Sequence, residues 1–455
     1  MEIITCNNNE IKINSYIIKE KNHAIVIDPN DFEEIIDALG NCKLDYIFLT
    51  HEHFDHIMAV DKLRARYNAK LVAQKHTSEN IQKASRNLSK FSNIILDFMN
   101  VKIKTEIKEF TVNVADIIYD NSYKLIWKDL ELKFFHTPGH SEGSSCIIIR
   151  DYVFSGDSLF ECWETDTRGK GCSKKDYLNI TMPFFKSLNK ETKVLAGHCE
   201  PFILEDKINA KEKAIKIFKN RVNYSNCFVT YDNFLKLLDD CTFFTRGDSL
   251  FLLKKESVFF KFYYFVNDYK ELTKLDSFFY TCKQTIIMEV VSKEKITNLI
   301  YEQIGFETYK TYSRYIIDKE VKKLNTVEFA KEDDIKEIKK LIDDTFDPLS
   351  DYIPTREELL YFVKNKELYI VKNNIIVGIA IYIKNGNNYY FRLSCVHPDY
   401  RNGFIGYILA SNIPSDANKV ITWVDNNNES AKKLNLGIGY KPDNLQNHIF
   451  IKQVK

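Results

Sequence analysis

To about residue 200, short apolar runs alternate with segments of helical spacing. The runs NSYIIKE, HAIVID, YIFLTHEH, AKLVAQ, LELKFFHT, SCIIIRDYVFSGD and TKVLAGH predict strands. DFEEIIDALGN and MAVDKLRARYN carry apolar residues at helical spacing, the first opening on Asp31 as N-cap and closing at Gly40. Alternating strands and helices predict a layered α/β fold. After His198, EDKINAKEKAIKIFKNRVNY reads as an exposed helix leading out of this first unit.

Further along, MEVVSKEKITNLIYEQIGFETYKTYSRYII and ITWVDNNNESAKKLNLGIGYKPDNLQNHIFI share one pattern of strand, helix, Ile-Gly-aromatic and strand. Val290 and Val424 stand at the same separation as Gly305 and Gly439, so the pattern reads as a weak internal repeat. The aromatic run VFFKFYYFV predicts a core or pairing strand in the first copy.

Length and composition narrow the class. A chain of 455 residues predicts two to four domains. Eight of the ten histidines fall between His23 and His198, and proline is absent from Phe202 to Asp347, which marks a boundary near residue 200. With 64 basic and 63 acidic side chains, nothing electrostatic points to nucleic acid or an anionic membrane as partner. The N-terminus lacks a basic start followed by an apolar run, and no stretch is long and apolar enough for a membrane helix. The ten cysteines contain no C-x-x-C pair, which predicts reduced thiols and a cytoplasmic location.

Candidate chemistry concentrates in the first unit. LTHEHFDH places His51, His53, Asp55 and His56 within one loop, enough to begin two adjacent metal sites. His140 in HTPGHSEGS, Asp157 in FSGDSLF and His198 in LAGHCE each follow an expected strand and lie near a glycine. This ordered set resembles the metallo-β-lactamase superfamily, in particular its glyoxalase II-like hydrolases, over roughly Met1 to Ala210. The resemblance implies an αββα sandwich in which His51, His53 and His140 hold one metal, Asp55, His56 and His198 a second, and Asp157 bridges them. Asp28 in AIVIDPN is expected to orient a ligand imidazole, whereas His23, His76 and His136 are expected to be packed and Cys199 a buried spectator. Two Zn²⁺ ions are the expected cofactors, with Fe or Mn as alternatives. The implied reaction is hydrolysis of a thioester, lactone or amide, with Asp55 and Asp157 as catalytic carboxylates. About 40 residues separate Asp157 from His198, too few for the inserted domain of the family's RNA-processing nucleases.

The C-terminal part carries a second motif. In LSCVHPDYRNGFIGYILA, a strand ending at Val396 is followed by Arg401, Asn402, Gly403, Phe404, Ile405 and Gly406 at a helix start. With NESAKKLNLGIGY, which supplies Asn428, Ala431, Gly439 and Tyr440, this resembles the acyl-CoA loop and following helix of GNAT acetyltransferases over roughly Asn325 to Lys455. The resemblance implies a phosphate-cradling loop and acetyl-CoA or another acyl-CoA as cofactor. Phe404 stands where the family has its middle loop glycine, and Asn435 where many relatives have a tyrosine acid. Residues 222–321 have YKELTKLDSFFYTC in the comparable place and read as a degenerate GNAT-like half.

The expected protein is therefore a metallo-β-lactamase-like hydrolase domain (1–210), a degenerate GNAT-like domain (222–321) and a GNAT-like domain (325–455), acting on a small-molecule or carrier-bound acyl substrate. Two alternatives stand beside it: a C-terminal half that binds substrate or carrier without transfer, and a metal domain that is a mononuclear iron sulfur dioxygenase.

Overall fold

The computed structural model describes residues 1–8, 10–98, 101, 103–104, 106–280, 282–293, 299–318, 327–401 and 403–453. Part of the helix expected after Ser292, the junction expected at 321–325, and Asn402 lie outside the described residues.

The N-terminal unit is built on two six-stranded sheets. The first runs Glu2–Asn8, Ile13–Glu20, His23–Ile27, Lys43–Phe48, Lys70–Gln74 and Ile117–Tyr119, antiparallel at its start and parallel from His23 onward. The second is ordered Phe202–Ile203, Lys193–Ala196, Tyr152–Gly156, Ser145–Ile149, Leu130–His136 and Ser122–Trp127. Inward positions at strand period two, including Ile25, Ile27 and Phe48 against Phe134, Ile147 and Phe154, close a dry core between the sheets. Helices Phe32–Leu39 and Val60–Tyr67 cover the outer face of the first sheet through Ile35, Leu39 and Leu63. Asp31 caps the first of them by accepting from Glu34 N, and Gly40 ends it at φ 59°.

Two local readings are corrected. SCIIIRDYVFSGD is a hairpin, Ser145–Ile149 pairing antiparallel with Tyr152–Gly156, because the chain reverses at Arg150, φ 55°. The segment read as one exposed helix is two helices, Leu204–Ile208 and Ala210–Asn220, with Ala214 and Ile217 buried against Leu250 and Leu252. Its amphipathic face anchors the unit that follows.

That unit is one twelve-stranded sheet. At each end lies an antiparallel meander that stops in a short parallel pairing: Phe260–Val266 with Ile286–Ser292, and Asn388–Val396 with Lys419–Asp425. A helix and a final strand follow each pairing, ending in Glu307–Ile317 and Lys441–Lys452. The final strands trade places: Lys441–Lys452 pairs with Ile286–Ser292, Glu307–Ile317 pairs with Lys419–Asp425, and the two pair with each other at the centre. Gly305 and Gly439, the matched glycines of the repeat, both take positive φ as the chain leaves a helix for these strands.

The twelve-stranded unit packs against the outer face of the second sheet. Cys146, Val153 and Val194 share one core with Phe244, Phe262, Phe279 and Phe450, so the fourth layer of the sandwich is partly supplied by the C-terminal half. Arg246 grips the buried Glu161 carboxylate with two hydrogen bonds of 2.6 and 2.7 Å across this junction. Among the described residues no helix is long and apolar enough to cross a membrane, and all ten cysteines are free.

Candidate metal centre

The carboxyl ends of three parallel-paired strands converge on one point. Lys43–Phe48 leads into His51 and a short 3-10 turn, Phe54–His56; Tyr152–Gly156 delivers Asp157; Lys193–Ala196 delivers His198. His140 arrives in the loop after Leu130–His136. Two glycines make the approach possible. A Cβ at Gly197 would collide with Asp157 Oδ1 and lie 2.6 Å from His56 Cε1, and one at Gly156, φ 50°, would lie 2.6 Å from Thr50 Cβ.

His51, His53 and His140 form one cluster, with His53 Nδ1 at 3.1 Å from His51 Nε2 and 3.0 Å from His140 Nε2. Asp55, His56 and His198 form another, Asp55 Oδ2 lying 3.7 Å from His56 Nε2 and 3.4 Å from His198 Nε2. Asp157 stands between them: Oδ1 is 3.3 Å from His56 Nε2, and Oδ2 is 3.6 Å from the Nε2 atoms of both His140 and His198. All seven candidate ligands are thus brought together.

The outer nitrogens explain why the inner ones are bare. Carbonyl oxygens only accept, so Lys12 O at 2.8 Å and Asp166 O at 3.1 Å fix protons on Nδ1 of His198 and His140. Asp28 Oδ2 accepts from His56 Nδ1 at 3.0 Å and from Thr50 Oγ1 at 2.6 Å, which leaves the Thr50 oxygen as acceptor for His51 Nδ1 at 3.1 Å. Four imidazoles therefore turn Nε2 toward the centre, the arrangement a cation requires. His56 Nε2 and Asp157 Oδ1 are buried and without a hydrogen-bond partner among the described residues. That would be costly in a site made only of protein, so the donor set fits bound metal.

The electrostatics follow the same division. Burial, reinforced by the neighbouring imidazoles, pushes His51 well below its ordinary value. Burial opposes charge on Asp157 too, but His198, His56 and His140 outweigh it and hold its carboxyl well below the usual range. Burial likewise lowers His53 and His140, the latter to about 4, whereas at His56 and His198 burial is outweighed by Asp157 and Asp55, joined at His56 by Asp28, and the imidazole is raised, well above its ordinary value at His56. These two rings hold a proton where a cation would otherwise sit among the carboxylates.

Asp28 orients His56, as expected. His136 lies apart from the ligands with Nε2 at 2.9 Å from Glu142 O, and His23 pairs with Asp45 at 2.7 Å. His76 is half-exposed near Glu79. Cys199 is buried beside Cys162, with burial holding its thiol well above the ordinary range.

Glu52 was not singled out by the sequence, because it occupies an unconstrained position inside HEHFDH. It is 3% exposed, accepts from Asn80 Nδ2 at 2.9 Å and from Ser141 Oγ at 2.8 Å, and so ties the first ligand loop to the loop carrying His140. Glu52→Ala strands both donors and is expected to lower unfolding free energy by roughly 2 kcal/mol. It should also reduce metal occupancy of the His51, His53 and His140 cluster, with Glu52→Gln milder in both respects. Denaturant titration and metal analysis read the two effects; unchanged occupancy in Glu52→Ala would show that the loop places His140 unaided.

Of the C-terminal candidates, Asn428 caps helix Glu429–Ile438 by accepting from Ala431 N at 3.0 Å. Arg401 Nε donates to Val396 O at 3.3 Å, and Phe404 is 80% exposed. Gly403, Ile405 and Gly406 lead into helix Ile405–Ser411, which ends ahead of Pro414.

Comparison with known proteins bears on the N-terminal unit. Residues 9–192 match the metallo-beta-lactamase superfamily. Over 196 residues the chain is 28% identical to a hydroxyacylglutathione hydrolase of Pelagibacter ubique, covering 40% of this chain and 65% of that one. It is 28% identical over 194 residues to the probable metallo-hydrolase YqgX of Bacillus subtilis, covering 41% and 85%. The B3 metallo-beta-lactamase BLEG-1 aligns at 25% identity and a TM-score of 0.40, over 46% of this chain and 97% of that structure. The chain therefore spans about two thirds of the Pelagibacter protein and continues into a C-terminal half outside the matched stretch. On that match, residues 9–192 form a metallo-beta-lactamase superfamily domain.

Proposed function

We propose that the N-terminal domain is a dinuclear metal-dependent hydrolase of activated carbonyl compounds, with thioesters as the first substrate class. The observation that carries this reading is Asp157, a carboxylate only 11% exposed and within 3.6 Å of candidate ligand nitrogens from both clusters. His51, His53 and His140 would hold one divalent cation and Asp55, His56 and His198 the other, with zinc the ion that suits this imidazole and carboxylate set. Bound there, such a pair would supply a water acidic enough to ionise near neutrality and positive charge to offset that developing on a carbonyl oxygen. The side chains do the rest. Asp28 and the Lys12 carbonyl keep His56 and His198 in register, Asp157 spans the two clusters, and Asp55 is a second carboxylate kept ionised, against burial, by His56 and His198. The second cluster favours this over a mononuclear dioxygenase. The thioester preference rests on the hydroxyacylglutathione hydrolase relatives.

For the C-terminal half, the reading is a tandem GNAT-like module that takes acyl-CoA. In support, among the described residues Asn388–Val396 and Lys419–Asp425 pair from Asn388 to Phe391 and not at their ends by Val396 and Asp425. Asn435 favours a second reading, binding without transfer: it is 4% exposed, and its amide donates to Ala431 O at 2.8 Å, so no acid stands there.

One assay separates these. Thiol release from acyl-CoA and shorter acyl thioesters is measured with zinc-loaded and chelator-stripped protein, with and without amines. Release without amine that disappears on chelation, by at least a hundredfold, is expected from the hydrolase; release that needs amine but no metal would assign activity to the C-terminal half instead.

A further inference from the structure

The residues around His198 are not all from the metal domain. The irregular stretch after Asp157 lays Phe160 and Trp163 against the His198 ring, with centroids at 6.0 and 5.8 Å. Trp163 is held from the other half of the chain: its Nε1 donates to Ser277 O at 2.6 Å, and its ring stacks on Tyr280 at 5.9 Å and 25°. Tyr280 ends helix Asp276–Tyr280, which stands in the degenerate half between Phe260–Val266 and Ile286–Ser292. Its far side meets the metal domain again. It packs against the small core that contains Ile11, Ile13 and Phe54, Phe54 being the residue after candidate ligand His53, and Lys12 Nζ lies 4.4 Å from its ring. Lys12 is the residue whose carbonyl holds His198.

Tyr280 is therefore clasped between the two ligand-bearing loops, and both it and Trp163 keep part of their surface open. Its hydroxyl is buried and has no hydrogen-bond partner among the described residues. A scaffold tyrosine at a domain junction normally satisfies its hydroxyl. Tyr280 and Trp163 thus form one partly open aromatic pair that leans on the His198 ring, with a hydroxyl unpaired among the described residues as its polar group. Phe278, Phe279 and Tyr280 of this helix all belong to cores shared with the metal domain.

We infer that Tyr280 is a substrate-binding residue of the metal centre, delivered by the C-terminal half, and that with Trp163 it selects substrates carrying an apolar or flat organic group next to a hydrogen-bonding atom. This rests on the hydrolase reading above and specifies its substrate class. The ring and Trp163 supply the apolar contact, and the hydroxyl supplies the polar one. The C-terminal half is then part of the hydrolase site whatever else it binds.

The test uses the full zinc-loaded chain and two probe series: N-acetylcysteamine thioesters with acetyl, hexanoyl, phenylacetyl and 4-hydroxyphenylacetyl groups, and acetyl thioesters of ethanethiol, N-acetylcysteamine and thiophenol. Rates and isothermal titration binding are measured separately for wild type, Tyr280→Phe and Tyr280→Ala, with metal content checked in each. Tyr280→Ala is expected to compress selectivity along at least one series fivefold or more, through KM and not kcat. Tyr280→Phe should keep the preference for bulk and lose the preference for the probe bearing a polar atom. Selectivity within twofold of wild type along both series, in both variants, overturns the inference. If wild type cleaves none of the probes, the hydrolase reading falls on its own, and binding decides: affinity lost in Tyr280→Ala supports the site, and equal affinity removes it.

Discussion

Asp157→Ala is expected to lower kcat/KM for thioester cleavage at least a thousandfold and to take bound metal from two ions per chain toward one or none. Asp55 faces His56 and His198, and Asp28 faces His56 from outside, but Asp157 reaches Nε2 atoms of both clusters. Removing it leaves His140 and the first cluster with no carboxylate within ion-pair distance at the centre, and the second with Asp55 alone. A cation held by three neutral imidazoles without an adjacent carboxylate binds less tightly, and the lost thousandfold corresponds to about 4 kcal/mol of transition-state stabilisation. Asp157→Asn keeps the shape and loses the charge, so it should fall between wild type and alanine. The fold should persist in both, since Gly156 and Gly197 still admit the loop and the inter-sheet core is untouched. Metal analysis by mass spectrometry, turnover and near-ultraviolet circular dichroism on the same samples check this. An alanine variant with two metals and wild-type turnover would remove Asp157 from the mechanism.

The gathering of the seven candidate ligands was legible because each stands in a short local motif at the end of a strand. Each lies just past a strand, and Gly156 and Gly197 are needed for a steric reason that acts locally, so the motif and its glycines travel together. Asp28 was legible for the same reason, as a carboxylate at the end of a strand. Glu52 was not, because what it does depends on Asn80 and Ser141, brought to it by folding. Trp163 and Tyr280 were further out of reach: nothing in FECWETD or DSFFYTC says that one will stack on the other across the junction of two units. The helix from residue 205 onward was misread since its buried face meets strands more than 30 residues later, and only that contact distinguishes a half-buried helix from a solvated one.

A chain ended at Tyr440 is expected to lose the whole C-terminal unit, not just its last half. The repeat in the sequence suggests two modules that fold side by side, and on that view residues 222–321 would survive the cut. The exchange of final strands says otherwise. Lys441–Lys452 pairs with Ile286–Ser292 over seven residues and with Glu307–Ile317 along most of its length, so its removal leaves two unpaired edges in the middle of a sheet. It also withdraws Phe450, buried against Tyr301 at a ring distance of 4.9 Å, from the core that the C-terminal unit shares with Val153 and Val194 of the metal domain. Burying an aromatic side chain of this kind contributes about 3 kcal/mol, and Ile449 and Ile451 go with it. Limited proteolysis of the truncated chain should therefore degrade residues 222–440 together, with the cooperative unfolding transition of that unit absent. Phe450→Asp in the full chain should reproduce the loss more mildly, by placing an unpaired charge in the same core. A protease-resistant fragment ending near residue 320 would show that the first half folds alone, and that its wall at the metal centre does not depend on the strand it borrows.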